Sequence, residues 1–120
     1  MRALLAAALL TLCLVAPVGG AAAHGHPPRP ALHYLAGRDG WSRITQYVQC
    51  CVTASGWPVF YGEVAADPAI PFGAHVHIPG LGVFVVWDRG GGVRGAHLDV
   101  YVPYYPYPGI HDWYRGVYWW

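Results

Sequence analysis

The sequence predicts a mainly β domain closed into a small barrel, and three observations predict it. Apolar and β-branched residues gather in short runs, some of strict period two; prolines and glycines cut those runs at close intervals; and no long stretch beyond residue 23 repeats at the period of about 3.6 that a helix requires. A chain of many short strands has to protect its sheet edges, and closure into a barrel does this most completely.

The chain opens with Met1 and Arg2, then an apolar run over residues 3–16 broken only by Thr11 and closed by Pro17. Small residues follow as far as Ala21-x-Ala23. A positive start, a short apolar centre and a small-residue cleavage signature define a secretory signal peptide, residues 1–23, and the run is shorter than the roughly 20 apolar residues of a membrane span. The expectation is an exported protein of the cell envelope or exterior, with no stable membrane anchor once the leader is removed. Residues 24–42, rich in Pro, Gly and His without periodicity, read as a flexible lead-in to a single domain over residues 43–120.

Six strands are expected in that domain. "RITQYVQ" (43–49) and "PVFYGEVAA" (58–66) carry β-branched and aromatic residues, and "DPAIPFG" ends the second, because two prolines and a glycine cannot continue a ladder. "AHVHI" (74–78) runs to the "PGLG" turn, and "VFVVW" (83–87) is apolar throughout, as a strand buried on both faces would be. "AHLDVYV" (96–102) alternates: Ala96, Leu98, Val100 and Val102 on one face, His97, Asp99 and Tyr101 on the other. "GVYWW" (116–120) supplies the last strand, and "HDWYRG" before it reads as a single turn.

Charge excludes one class of function. With Arg2 gone, six basic residues face six acidic ones, so no positive field exists to hold nucleic acid. Cys13 leaves with the leader, and the exported chain keeps only the adjacent Cys50 and Cys51. Neighbours can bridge only through a strained ring; a pair of small semi-buried residues, a vicinal bridge, an intermolecular bond and a metal contact all remain open. His75 and His77 share a strand face, but their strand offers no acidic co-ligand, and neither a metal nor a cofactor is expected.

The residues that carry chemistry flank a glycine loop. Asp88 ends the buried run and Asp99 stands on the polar face of the next strand, with "RGGGVRG" between them. Glycine tolerates backbone angles closed to other residues, so the loop can bring the two carboxyls together. One of them would then gain a raised pKa and serve as a general acid. On spacing alone the alternative stands beside it: Asp88 as a turn cap and Asp99 as an ordinary polar strand residue.

At this point the sequence resembles a known family. Residues 45–103, with "ADPAIPFG", "IPGLG", "WDRGG" and "LDVY", are similar to the 3D domain, the three-aspartate double-psi β-barrel of secreted cell-wall proteins that also forms part of membrane-bound lytic transglycosylase A. The resemblance implies a small six-stranded double-psi β-barrel and lytic transglycosylase action on peptidoglycan or a related polysaccharide. It places the family aspartates at Asp67, Asp88 and Asp99. Asp99 is implied as the catalytic acid, with Asp88 as the charge that keeps it protonated. Asp67 either lines the cleft or braces its own turn. Arg94 stands where the family usually has Lys, Ala74 where Thr is common, and Arg89 where a small residue is usual. An arginine beside Asp88 acts to lower a carboxyl pKa.

Further candidates for substrate contact are Tyr47 and Thr53, although Thr53 in "TASG" also suits a turn. The aromatic tail "YVPYYPYPGIHDWYRGVYWW" and Trp57 can stack on sugars or cover one end of the barrel. Because a fold does not fix a function, a second reading stays beside the enzyme: a non-catalytic barrel that binds or loosens polysaccharide.

Overall fold

The computed structural model describes residues 28–120. The expected leader and the first residues of the lead-in lie outside the described residues. Eight strands form one mixed sheet: β1 (His33–Leu35), β2 (Ser42–Tyr47), β3 (Glu63–Ala65), β4 (His75–Ile78), β5 (Gly82–Asp88), β6 (His97–Tyr101), β7 (Trp113–Tyr114) and β8 (Val117–Trp119). Their order across the sheet is β1-β8-β4-β5-β3-β6-β2-β7. The β2/β6 and β3/β5 pairs are parallel and the other ladders antiparallel. Among the described residues no helix is long and apolar enough to cross a membrane.

The mainly β class holds, but strand number and closure do not. There are eight strands rather than six, and the ladder ends at β1 and β7 instead of closing into a barrel. The two extra strands are too short to show periodicity and are made by their partners. β1, inside the segment read as flexible lead-in, pairs with β8 and stacks His33 on Trp119 at 4.1 Å between ring centres. β7 falls in the segment read as one turn and adds to β2 at Ser42 and Arg43. Conversely, the expected strand over 58–66 keeps only Glu63–Ala65. Pro58 has no N–H for a ladder and forms an isolated bridge with Val52, and Gly62 takes a φ of 105°, which breaks extended structure just before β3.

The core lies on one face of the central strands. Ile44, Val64, Val86, Leu98, Val100 and Val102 are at most 1 % exposed and meet Val76, Ile78 and Val117 from the outer strands. β6 carries out the alternation read from its sequence: Leu98 and Val100 are buried while His97, Asp99 and Tyr101 are half-buried on the opposite face. That second face is polar and is covered in part by the loop between β2 and β3. Cys50 and Cys51 lie in this loop as free, exposed thiols rather than as semi-buried residues or a bridge, with Cys51 at a φ of 79°.

Candidate active site

The site is a row of side chains running across four strands. Thr45 of β2 is in register with Asp99 of β6, Asp99 with Ala65 of β3, and Ala65 with Asp88 of β5. Residues in register point to the same face. The two aspartates therefore share a face but not a strand pair. β5 and β6 lie on either side of β3, so the glycine loop carries the chain over rather than folding the carboxyls together. Two strand spacings of about 4.8 Å separate their backbones, and the small side chain of Ala65 lies in the gap.

A β-bulge aims Asp88 into this row. Val64 pairs with Val86 but Ala65 pairs with Asp88, so Trp87 is the extra residue. By simple alternation Asp88 would follow Phe84 and Val86 into the core; the inserted residue turns it to the polar face. The glycine loop is built tightly behind it. A side chain at Gly90 would meet Val93 Cγ2 at 2.6 Å, so only glycine fits there.

Asp88 is 4 % exposed and fully engaged. Its Oδ1 accepts from the backbone N–H groups of Ala54 and Arg89, each at 2.8 Å, and its Oδ2 from the Tyr47 hydroxyl at 2.8 Å and Gln49 Nε2 at 2.9 Å. Four donors fill the acceptor sites of an ionised carboxylate. The Arg89 guanidinium turns away from this carboxylate. It donates to the carbonyls of Ile70 at 2.7 Å and Ala66 at 3.4 Å, and lies 4.0 Å from the Phe72 ring centre. It thus ties β5 to the Asp67–Phe72 turn.

Asp99 has a different environment. Burial raises its pKa above the ordinary carboxylate value; the Thr45 hydroxyl and the His97 ring act downward, the Asp88 charge acts upward, and Arg43 acts downward. Repulsion by Asp88, expected as the means of keeping Asp99 protonated, is secondary to burial. Asp99 Oδ1 and His97 Nε2 each lie 2.8 Å from Thr45 Oγ1, and His97 Nδ1 lies 3.3 Å from the Gly92 carbonyl.

Beneath the row is a carboxyl with no sequence signal. Glu63, fully buried on β3, meets the Tyr47 hydroxyl at 3.3 Å through Oε1, and its Oε2 has no hydrogen-bond partner among the described residues. Burial is the main cause that raises its pKa, and the Asp88 charge adds to it. Tyr47, expected at the substrate, points its hydroxyl inward between Glu63 and Asp88, and burial raises that hydroxyl's pKa as well. Its ring stands edge-on to Tyr101.

The remaining expected site residues lie outside the row. Asp67 braces two loops: Oδ1 accepts from Ala69 N–H at 2.8 Å and Oδ2 from Gly95 N–H at 2.7 Å. These donors hold its pKa below the usual carboxylate range. Of the two readings for Asp67, bracing is the one these bonds express. Arg94 is exposed and donates to the Gly90 and Val93 carbonyls. Thr53 is spent on its own turn, bonded to Ser55 Oγ and the Trp57 carbonyl. Thr45, Gln49, Glu63 and the Thr45 contact of His97 were the parts that sequence reasoning missed. Strand parity held a signal for the first and last, since Thr45 shares a face with Tyr47 and His97 with Asp99.

Of two clefts, one reaches the row at Thr45 and the other shares no residue with it. One of about 400 Å³ runs along β2 and is lined by Arg43, Thr45, Tyr105 and Asp112, among others. Another of about 370 Å³ is lined by Asp39, Trp41 and Trp113. Trp113 is in register with Arg43, and Arg43 with His97, so Trp113 continues the same face. His75 and His77 are exposed on a different strand, where His75 stacks with Trp120. Among the described residues no group of three or more His, Cys, Asp or Glu side chains is arranged to hold a metal.

Residues 63–109 match the family model of the 3D domain. Over that segment the chain is similar to the 3D domain, the double-psi barrel family related to the C-terminal region of membrane-bound lytic transglycosylase A. The match spans Asp67, Asp88 and Asp99 and leaves out β2 with Thr45 and Tyr47. No curated protein matches the chain.

Proposed function

We propose that this chain is an exported, cell-wall-active lytic transglycosylase that cuts peptidoglycan glycan strands with Asp99 as its single acid and base. The observation that carries the reading is the contrast between the two aspartates. Asp88 is caged by four donors, whereas Asp99 is desolvated, raised in pKa and bonded through Oδ1 to one hydroxyl. A carboxyl that holds its proton toward neutrality is what a general acid requires.

In this mechanism the Asp99 carboxyl gives its proton to the oxygen linking N-acetylmuramic acid to N-acetylglucosamine as that C–O bond breaks. The muramyl 6-hydroxyl then closes on the same carbon and returns its proton to the Asp99 carboxylate. No water is consumed, and a 1,6-anhydro ring ends the product. One carboxyl suffices, in contrast to the paired acid and nucleophile of most glycosidases. The Trp113 ring on the same face, with Trp41 lining the same cleft, suits the apolar faces of sugars.

Asp99→Asn is expected to abolish release of anhydromuropeptides from peptidoglycan, read by mass spectrometry, while the urea midpoint stays near that of the wild type. Anhydromuropeptides at the wild-type level from this variant overturn the assignment. A wild type that binds peptidoglycan and releases nothing supports the alternative, a polysaccharide-binding domain without turnover.

A further inference from the structure

We propose that Asp99 and His97 share one proton through the Thr45 hydroxyl, so that His97 is a positioning residue that governs when Asp99 is an acid. The inference follows from counting hydrogens. The Thr45 hydroxyl owns one hydrogen and stands 2.8 Å from both Asp99 Oδ1 and His97 Nε2, so it donates to one and accepts from the other. The Gly92 carbonyl, 3.3 Å from His97 Nδ1, can only accept, which assigns a hydrogen to Nδ1.

Two arrangements satisfy every contact. In the first, the Asp99 carboxylic acid donates to Thr45, Thr45 donates to a bare Nε2, and the ring is neutral with its hydrogen on Nδ1. In the second, a doubly protonated ring donates from Nε2 to Thr45, and Thr45 donates to the Asp99 carboxylate. They are interconverted by moving one hydrogen from Nε2 to Oγ1 while the hydroxyl hydrogen passes from Oγ1 to Oδ1. Charges of plus and minus one become zero and zero, and no other reactant is needed. The pair therefore holds its protons as one coupled unit rather than as two independent groups.

Register supports the coupling, since Thr45 pairs with Asp99 and Arg43 with His97 along one parallel ladder. The charged and titratable side chains sharing this face are Arg43 and Tyr47 from β2, Glu63 from β3, Asp88 from β5, and His97 and Tyr101 beside Asp99.

This inference deepens the transglycosylase reading, but its decisive test does not depend on turnover. ¹⁵N NMR of the wild type should report the Nδ1–H tautomer for neutral His97, and Asp99→Asn should move the His97 titration to lower pH by about one unit or more. Thr45→Val should uncouple the pair, so that His97 titrates alike with and without Asp99→Asn in that background, and Thr45→Ser should restore the coupling. A His97 titration unmoved by Asp99→Asn in a chain carrying Thr45, or neutral His97 as the Nε2–H tautomer, overturns the relay even if glycan is cleaved. With active protein, His97→Gln should shift the alkaline limb of the kcat/KM profile acidward by about one unit, whereas a merely structural role would lower the rate and leave the limb in place. Intact coupling in a protein that releases no anhydromuropeptides leaves the relay standing and defeats the proposed reaction.

Discussion

Tyr47 decides how two buried carboxyls coexist. Its hydroxyl lies between Asp88 at 2.8 Å and Glu63 at 3.3 Å, yet a phenol has one hydrogen to give. The shorter bond claims it for Asp88, and Glu63, whose pKa burial raises, is left with the longer and weaker contact to the same hydroxyl. Removing the hydroxyl takes one donor from Asp88 and the facing partner from Glu63. Tyr47→Phe is therefore expected to cost about 1–3 kcal/mol of stability, the range for a buried group left short of a partner, measured by urea denaturation. An unchanged midpoint would refute the bridging role. The sequence pointed to Tyr47 as a contact, but for sugar, because its true partner was silent. Glu63 in "YGEVA" carries the pattern of a solvent-facing strand residue, and its burial arises only in the folded chain. Thr45 and His97 were half-legible in the same way. Parity put each on the polar face, but the parallel pairing of β2 with β6, which makes them touch, joins segments some fifty residues apart.

At the scale of elements, the bulge in β5 makes the site possible. Counting by twos from Phe84 leads through Val86 to Asp88 and predicts one face for all three, and it is the register shift against β3 that separates the last from the others. No local feature of "VFVVWD" announces that shift, because a bulge is defined by its partner strand. For the same reason the glycine loop was legible as a loop while its crossing over β3 was not. The consequence is that the small side chain of Ala65 is set between a caged carboxylate and a desolvated acid. If the scissile bond approaches Asp99 on the side of Ala65, enlarging that side chain should stop the reaction without dismantling the sheet. Ala65→Val adds two methyl groups at a position 3 % exposed, where overpacking typically costs about 1–3 kcal/mol. The expected outcome is a folded protein, by far-UV circular dichroism and urea titration, whose anhydromuropeptide release falls at least about tenfold, equivalent to roughly 1.4 kcal/mol in the barrier. Wild-type release from a folded Ala65→Val protein would place the substrate elsewhere.

For the whole molecule, the segment that matches the 3D family supplies β3 to β6 and all three aspartates, while β2 supplies Thr45, Tyr47 and the far wall of the row. The proposed acid Asp99 and the carboxyls of Glu63 and Asp67 also bear on stability, and their shifts act in opposite directions. Asp67 has a lowered pKa, so its contribution is complete above the ordinary aspartate value of about 3.9 and is lost as pH falls through its lower folded value. Glu63 and Asp99 have raised values. Their folded forms hold protons that the unfolded chain has released, so their contribution is complete below about 4 and is lost as pH rises through the folded pKa of each. Together the three groups predict a stability maximum at mildly acidic pH, roughly 4–5, with a fall on both sides. Urea midpoints measured from pH 3 to pH 8 should trace that maximum. Glu63→Gln, which keeps the shape but cannot ionise, should flatten the alkaline fall and leave the acid side unchanged, because Asp67 governs that side. A midpoint that climbs steadily from pH 4 to pH 8 in the wild type would mean that both buried acids are ionised at neutrality, and Asp99 would then have no proton to give.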